Sequence, residues 1–156
     1  MALGVMKTSL VQLTEFQSMS KVQVRALADS LLGEQPDVIE TCVRFVCAET
    51  ENLWHGRGRA MMCRRLKHIQ LARDQRDRLV NCILHRLSTG RFSEQFRDQL
   101  RLALHLDHGG SVAAAKRALE GGKPHITRYC RWVLLHETAD DDAQQTVARA
   151  ARSGEV

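Results

Sequence analysis

The sequence has few of the residues that mark strands, disulfide frameworks or membrane spans. Only 4% of its 156 residues are aromatic, and it contains two prolines. Sustained alternation of apolar and polar residues, which would indicate strands, is absent. No apolar run approaches the roughly 20 residues that a membrane-spanning helix requires. Leu, Ala, Arg and Gln are plentiful, so the composition favours a soluble, all-helical protein.

Cysteine is scattered and follows no recognised spacing. The five cysteines are Cys42, Cys47, Cys63, Cys82 and Cys130. Their odd number, the absence of a CxxC pair and the lack of a secretion signal indicate reduced, mostly buried thiols. We therefore expect a cytoplasmic or nuclear protein. A mitochondrial location is the alternative, because the first 21 residues contain few acids, although they also lack arginine.

Catalytic and metal-binding patterns are poorly supported. Cys82 with His85, and His105 with His108, could each supply two ligands on one helix. Structural zinc takes four ligands, and neither pair has a second pair in matching context. No nucleophile has an orienting group and a base at a spacing that a helix would bring together. We predict no metal, no cofactor, no catalytic residue and no enzymatic activity.

Capping residues and apolar stripes predict about eight helices joined by short turns. Ser20 is a suitable N-cap, and Pro36 stands where a first-turn proline belongs. The predicted starts are Ser20, Pro36, Arg59, Asp74, Ser93, Ser111, Pro124 and Asp140. Residues His55–Gly58 are predicted to form a turn, since two glycines interrupt the helical pattern there.

Short turns make successive helices antiparallel neighbours. We therefore predict an all-α fold of stacked helical hairpins, an armadillo/HEAT-like right-handed superhelix, with a compact eight-helix bundle as the alternative. The expected organisation is an N-terminal arm or short helix at 1–19, a helical domain at 20–138 and a C-terminal helix or tail at 139–156.

Positive charge is concentrated in one segment, Arg57–Arg78. It holds eight Arg and Lys against two Asp, a net charge of +6, whereas the whole chain carries +5. On a helix that begins at Arg59, Arg64, Lys67 and His68 lie opposite the apolar side. Arginines near glycines at a helix start favour anion contact. The candidate phosphate- or partner-binding residues are Arg57, Arg59, Arg64, Arg65, Lys67, His68 and Arg73, with Trp54 as a candidate stacking residue.

These residues suggest two functions. The first is a non-enzymatic scaffold or adaptor that binds a protein partner through the basic helix face. The second is a nucleic-acid-binding protein, for RNA rather than DNA, that contacts the phosphate backbone through the same residues. The alternative explanation of the segment is a solvated helix face whose arginines pair with acids of the same chain.

Overall fold

The computed structural model describes residues 15–136. Every regular element within this range is helical, and no strand occurs in it. We number the α-helices as follows: α1 Lys21–Ser30, α2 Pro36–Cys47, α3 His55–Leu66, α4 Arg73–Thr89, α5 Phe96–Leu106, α6 His108–Glu120 and α7 at 124–136. Residues 15–17 are also helical, and a 3-10 turn at Leu31–Gly33 follows α1. The predicted helix at Asp140, and residues 1–14 of the predicted N-terminal arm or short helix, lie outside the described residues.

Several predicted helix ends are confirmed, together with the residues that were expected to begin or end those helices. The Ser20 hydroxyl accepts from the Gln23 main-chain N–H, and the Gln23 side chain accepts from the Ser20 N–H, which completes a capping box. Pro36 is the first residue of α2. Gly90 ends α4 at φ 76°, a left-handed conformation that glycine adopts without steric cost.

Three predicted starts are wrong, two of them because glycines were taken for turns. Helix α3 begins at His55 and runs through Gly56 and Gly58. A Cβ on Gly58 would lie 2.3 Å from Val24 Cγ1, so this glycine allows α3 to approach α1 closely. Helix α6 begins at His108 rather than Ser111, because the Asp107 carboxylate caps it by accepting from the Gly110 N–H.

The third wrong start concerns α5, which begins at Phe96 rather than after a Ser93 cap. Its N-cap is Gln95, in a left-handed conformation at φ 59°. The Ser93 hydroxyl instead accepts from the Gln99 side chain. The connection before α5 is therefore a turn with its own internal contacts rather than a simple serine cap.

Alternate helices pack side by side. Helices α1, α3 and α5 form one row, in which α3 packs on α1 and on α5. Tyr129 of α7 meets the rings of Phe92 and Phe96, which extends this row to α7. Helices α2, α4 and α6 form a second row. Among the numbered helices from α1 to α6, the consecutive pair α3 and α4 does not pack together, so the turn between them lies where the two helices diverge.

The core lies between the two rows. Its largest fully buried side chains include Phe16, Phe45 and Phe96, together with Ile83 of α4 and leucines of α4 and α5. Burying such side chains stabilises the chain by about 1.5–3 kcal/mol each relative to exposure. None of the helices in residues 15–136 combines the length and apolarity that crossing a bilayer requires.

Candidate functional site

The basic segment divides at Leu66, where α3 ends. The arginines on α3 lie between two neighbouring helices that carry carboxylates. Arg57 Nη2 lies 2.9 Å from Glu94 Oε1, just before α5, and Arg64 Nη1 lies 2.6 Å from Asp98 Oδ2 on α5. In the other direction, Arg65 Nη1 lies 2.9 Å from Asp29 Oδ1 on α1. These three predicted binding residues therefore already have anionic partners within the chain.

Two of these pairs have further consequences. The Arg57–Glu94 hydrogen bond raises the pKa of Arg57 above its ordinary value, although both side chains are about half exposed. The second Asp98 oxygen accepts from Arg101 Nη1 at 2.9 Å, so one carboxylate joins an arginine of α3 to an arginine of α5. This nearly buried carboxylate fixes the two arginine side chains beside it. Both guanidinium groups are therefore already engaged within the chain and are less available to an external anion.

Arg59 was predicted to contact a phosphate, and the structure corrects this. Because α3 runs through the glycines, Arg59 lies on the apolar side of the helix and is only 4% exposed. Its Nη2 donates to the main-chain oxygens of Ala48 at 2.9 Å and Thr50 at 2.7 Å. Burial lowers the pKa of Arg59 to about 10, with a further contribution from the charge of Arg86. Arg59 is thus a structural donor that fixes the turn between α2 and α3.

The groove at the start of α3 is balanced in charge. It encloses about 770 Å³, and its lining carries three arginines, Arg59, Arg86 and Arg91, against three glutamates, Glu49, Glu51 and Glu94. Gly56 does not leave room for a ligand, because a Cβ there would lie 3.0 Å from the Glu94 main-chain nitrogen. A neutral groove with its glycine already packed does not favour a phosphate.

Both tryptophan rings have neighbouring side chains over one face. Lys21 Nζ lies 5.6 Å from the ring centroid of Trp54, the predicted stacking residue. Trp132 is covered by His136, whose ring centroid lies 3.8 Å away, and by Arg101, whose Cζ lies 5.3 Å from the Trp132 ring centroid. A nucleobase would have to displace these groups before it could stack on the same face.

The rest of the basic segment is mixed. Arg78 Nη2 lies 2.6 Å from Glu40 Oε1 and 3.2 Å from Asp74 Oδ2. The side chains of Lys67, His68 and Arg73, in contrast, form no hydrogen bond or ion pair within the part of the chain that the structure describes. His68 and Arg73 are exposed, and Lys67 is partly exposed. Two further residues join them at the end of α5 and the start of α4. We call this group the cationic turn patch, and its members are Lys67, His68, Arg73, Arg76 and His105.

Three of the patch residues lie close enough to His105 for their charges to act on it. The pKa of His105 lies below its ordinary value of 6.5, first because of partial desolvation and then because of the positive charges of Lys67, Arg76 and His68. Arg76 Nη2 also donates to the Leu106 main-chain oxygen at 3.2 Å, which ties α4 to the end of α5. Charges from α4 and from the α3–α4 turn therefore act on one histidine of α5.

A groove of about 620 Å³ opens beside the patch. Arg73, Arg76 and Leu106 line it together with Asp77 and Asp107. The Asp107 carboxylate is engaged as the cap of α6. The groove itself is balanced in charge, with two arginines against two aspartates, so the cationic surface is the rim that Lys67, His68 and His105 add beside it.

Sequence reasoning missed His105 as a member of this group. It lies outside the basic segment and was weighed only as half of a metal pair with His108. Within residues 15–136, no group of three or more His, Cys, Asp or Glu is arranged to hold a metal ion. The sequence places His105 in the last turn of α5, where histidine is common, but its charged neighbours come from the α3–α4 turn and from α4, which are distant in the sequence.

The fold places the chain in the class of all-helical proteins, with two rows of packed helices and a cationic patch at one turn. No protein-family model, curated protein or solved structure matches the chain.

Proposed function

We propose that the chain is a non-enzymatic helical scaffold that binds an acidic segment of a partner protein through the cationic turn patch. The observation that carries this proposal is the contrast within the basic segment. The side chains of Arg57, Arg64 and Arg65 pair with carboxylates on or beside neighbouring helices, whereas those of Lys67, His68 and Arg73 form no ion pair among the described residues. Like charges that repel one another without a partner favour binding of an anion.

The fold supports a scaffold role through the way its helices are ordered. The second-row helices begin at Pro36, Arg73 and His108, and each row packs in chain order. We propose that the chain is a short stack of helical hairpins, in which the hydrophobic core holds the rows together and exposed turns select the partner. A compact bundle remains the competing architecture.

An acidic peptide suits the patch better than a nucleic acid. The patch has three formal cations and two histidines, whereas a nucleic-acid interface commonly neutralises about six to ten phosphates. Arg57 and Arg64 of α3 are already paired with carboxylates, the His136 ring lies against Trp132, and Lys21 lies over the Trp54 ring. A short carboxylate-rich segment needs fewer cations and no stacking surface.

A fluorescence-anisotropy titration with a labelled, glutamate-rich peptide tests the proposal. We expect binding at low salt that weakens about tenfold in the double variant Lys67→Glu and Arg73→Glu, because two exposed charges are reversed. The matched control is Lys116→Glu with Lys123→Glu, which makes the same charge change at two exposed lysines elsewhere. The control variant should bind like the wild type.

Two results would reject the proposal. Equal weakening by the control variant would show that net charge, and not the patch, attracts the peptide. Binding of generic single- or double-stranded oligonucleotides in preference to the peptide, with a steep fall of log K against log salt, would favour nucleic-acid binding instead. A third titration, with a neutral peptide of the same length, measures the non-electrostatic background.

A further inference from the structure

Two cysteines that are far apart in the sequence meet between α2 and α4. Cys47 is the last residue of α2, and Cys82 lies in the middle of α4. Their Sγ atoms are 3.0 Å apart. A disulfide bond is about 2.05 Å long, so a movement of about 1 Å would bring the two sulfurs to bonding distance. No other pair of the five cysteines forms a contact of this kind.

The contact makes Cys82 the more acidic thiol of the pair. Cys47 donates its S–H to Cys82 Sγ, and this hydrogen bond lowers the pKa of Cys82, as does the positive charge of Arg86, whereas burial acts in the opposite direction. The same hydrogen bond, together with burial, raises the pKa of Cys47. Cys82 Sγ also lies 3.3 Å from the Leu79 main-chain oxygen. Arg86 is only 3% exposed and lies one turn after Cys82 on α4, so its charge is poorly screened by water.

Cys47 and Cys82 differ from the other cysteines in their exposure to solvent. Cys47 and Cys82 are partly exposed, whereas Cys42, Cys63 and Cys130 are fully buried. Burial raises the pKa of Cys42 to about 12 and also raises those of Cys63 and Cys130. A small oxidant would therefore meet one activated thiol with a second thiol beside it, and three inert ones.

We propose that Cys47 and Cys82 form a reversible dithiol–disulfide site that is oxidised by small hydroperoxides. The Cys82 thiolate attacks the terminal peroxide oxygen and becomes a sulfenic acid, and the leaving alkoxide or hydroxide takes a proton to give alcohol or water. The Cys47 sulfur then attacks the Cys82 sulfur, which releases water and forms the disulfide. The two sulfurs together lose two electrons, the peroxide gains them, and the two thiol protons end in the products.

The disulfide would join α2 to α4, two helices of the second row, beside the turn that follows α2. Cys47 immediately precedes Ala48, whose carbonyl accepts from both Arg59 and Arg86. Glu49, the next residue, pairs with Arg86 at 3.1 Å. The disulfide would therefore fix the end of α2 against α4 beside the turn that these arginines already hold. It would also close a long loop in the unfolded chain and so stabilise the fold.

The test is oxidation of the reduced chain with one equivalent of hydrogen peroxide, followed by intact-mass measurement and peptide mapping. We expect the loss of two hydrogen atoms, a cross-link between the peptides that contain Cys47 and Cys82, and reversal by dithiothreitol. The melting temperature should rise by about 5–10 °C on oxidation. Cys63→Ala is the matched control, because it removes a neighbouring thiol and should leave the reaction unchanged.

Two variants separate the roles of the sulfurs. Cys47→Ser should stop at the sulfenic acid, detected as a dimedone adduct on Cys82, because the resolving thiol is gone. Cys82→Ser should form neither the adduct nor the cross-link. A cross-link that involves Cys63 or Cys130, a dimedone adduct on Cys47 in the wild-type chain, or no change of mass in the folded wild type would each overturn the proposal.

Discussion

Gly58 is the position at which the close approach of α3 to α1 can be tested directly. Replacing it with alanine adds one methyl group in a helix, which alone would stabilise the chain by about 0.5–1 kcal/mol. At this position, however, the added carbon would lie 2.3 Å from Val24 Cγ1. Val24 is fully buried, and a β-branched side chain has few alternative rotamers, so it cannot turn away.

The overlap should outweigh the gain in helix propensity. Forcing an extra carbon into a packed core costs about 1–3 kcal/mol, because backbones or rotamers must shift. After subtraction of the propensity gain, we expect Gly58→Ala to lower the free energy of unfolding by about 1–2 kcal/mol. In a chain of this size this corresponds to a fall in melting temperature of about 3–8 °C.

Urea unfolding followed by circular dichroism measures the effect, and Gly109→Ala is the matched control. Both glycines lie in the first turn of a helix, but a Cβ on Gly109 would have no atom within 4 Å. The control should be neutral or stabilised by up to about 1 kcal/mol. In a Val24→Ala background the clashing carbon is absent, so Gly58→Ala should there cost nothing further. Equal destabilisation in both backgrounds, or a stable Gly58→Ala, would refute the packing argument.

Three other predictions concern the charged residues. Arg59→Met should lower the free energy of unfolding by about 2 kcal/mol in urea titrations, because two buried main-chain carbonyls lose a donor, whereas Lys67→Met should change it by less than about 0.5 kcal/mol. Asp98→Asn should cost about 1 kcal/mol by the same assay, since its arginine partners are half exposed. The pKa of His105 is lowered in the folded chain, so its contribution to stability is complete above the unfolded value of 6.5 and is lost as pH falls below it. The urea midpoint should therefore fall less in His105→Gln than in the wild type between about pH 7.5 and 5, and an equal fall would contradict the assignment.

The helical class could be predicted from the sequence because apolar spacing and caps act locally. Ser20, Pro36 and Gly90 signal helix ends through contacts within a few residues, and these signals were confirmed. Glycine is ambiguous at the same level, since it serves both turns and close helix packing. Gly58 proved to be a packing residue, and only the position of Val24 on another helix reveals this.

The division of the basic segment could not be predicted, because pairing depends on residues distant in sequence. Arg57 and Glu94 are 37 residues apart, and Arg64 and Asp98 are 34 apart. A count of charges gives the net value of the segment but does not tell which arginines meet an acid. The same limit hid the Cys47–Cys82 contact, since the two residues are separated by 35 positions and fit no short motif.

The place where the segment divides follows from helix packing. Arginines on α3 lie between α1 and α5, and their long side chains reach carboxylates on either neighbour. After Leu66 the chain turns away, and α4 does not pack on α3. The side chains of Lys67, His68 and Arg73 form no ion pair among the described residues, although Asp77 of α4 lines the same groove as Arg73. The nearest element is the end of α5, where the Leu106 main-chain oxygen accepts a hydrogen bond from Arg76. The side chains of Lys67, His68 and Arg73 are therefore not used in ion pairs among the described residues. Such side chains are available to bind a partner, as the proposed docking role requires.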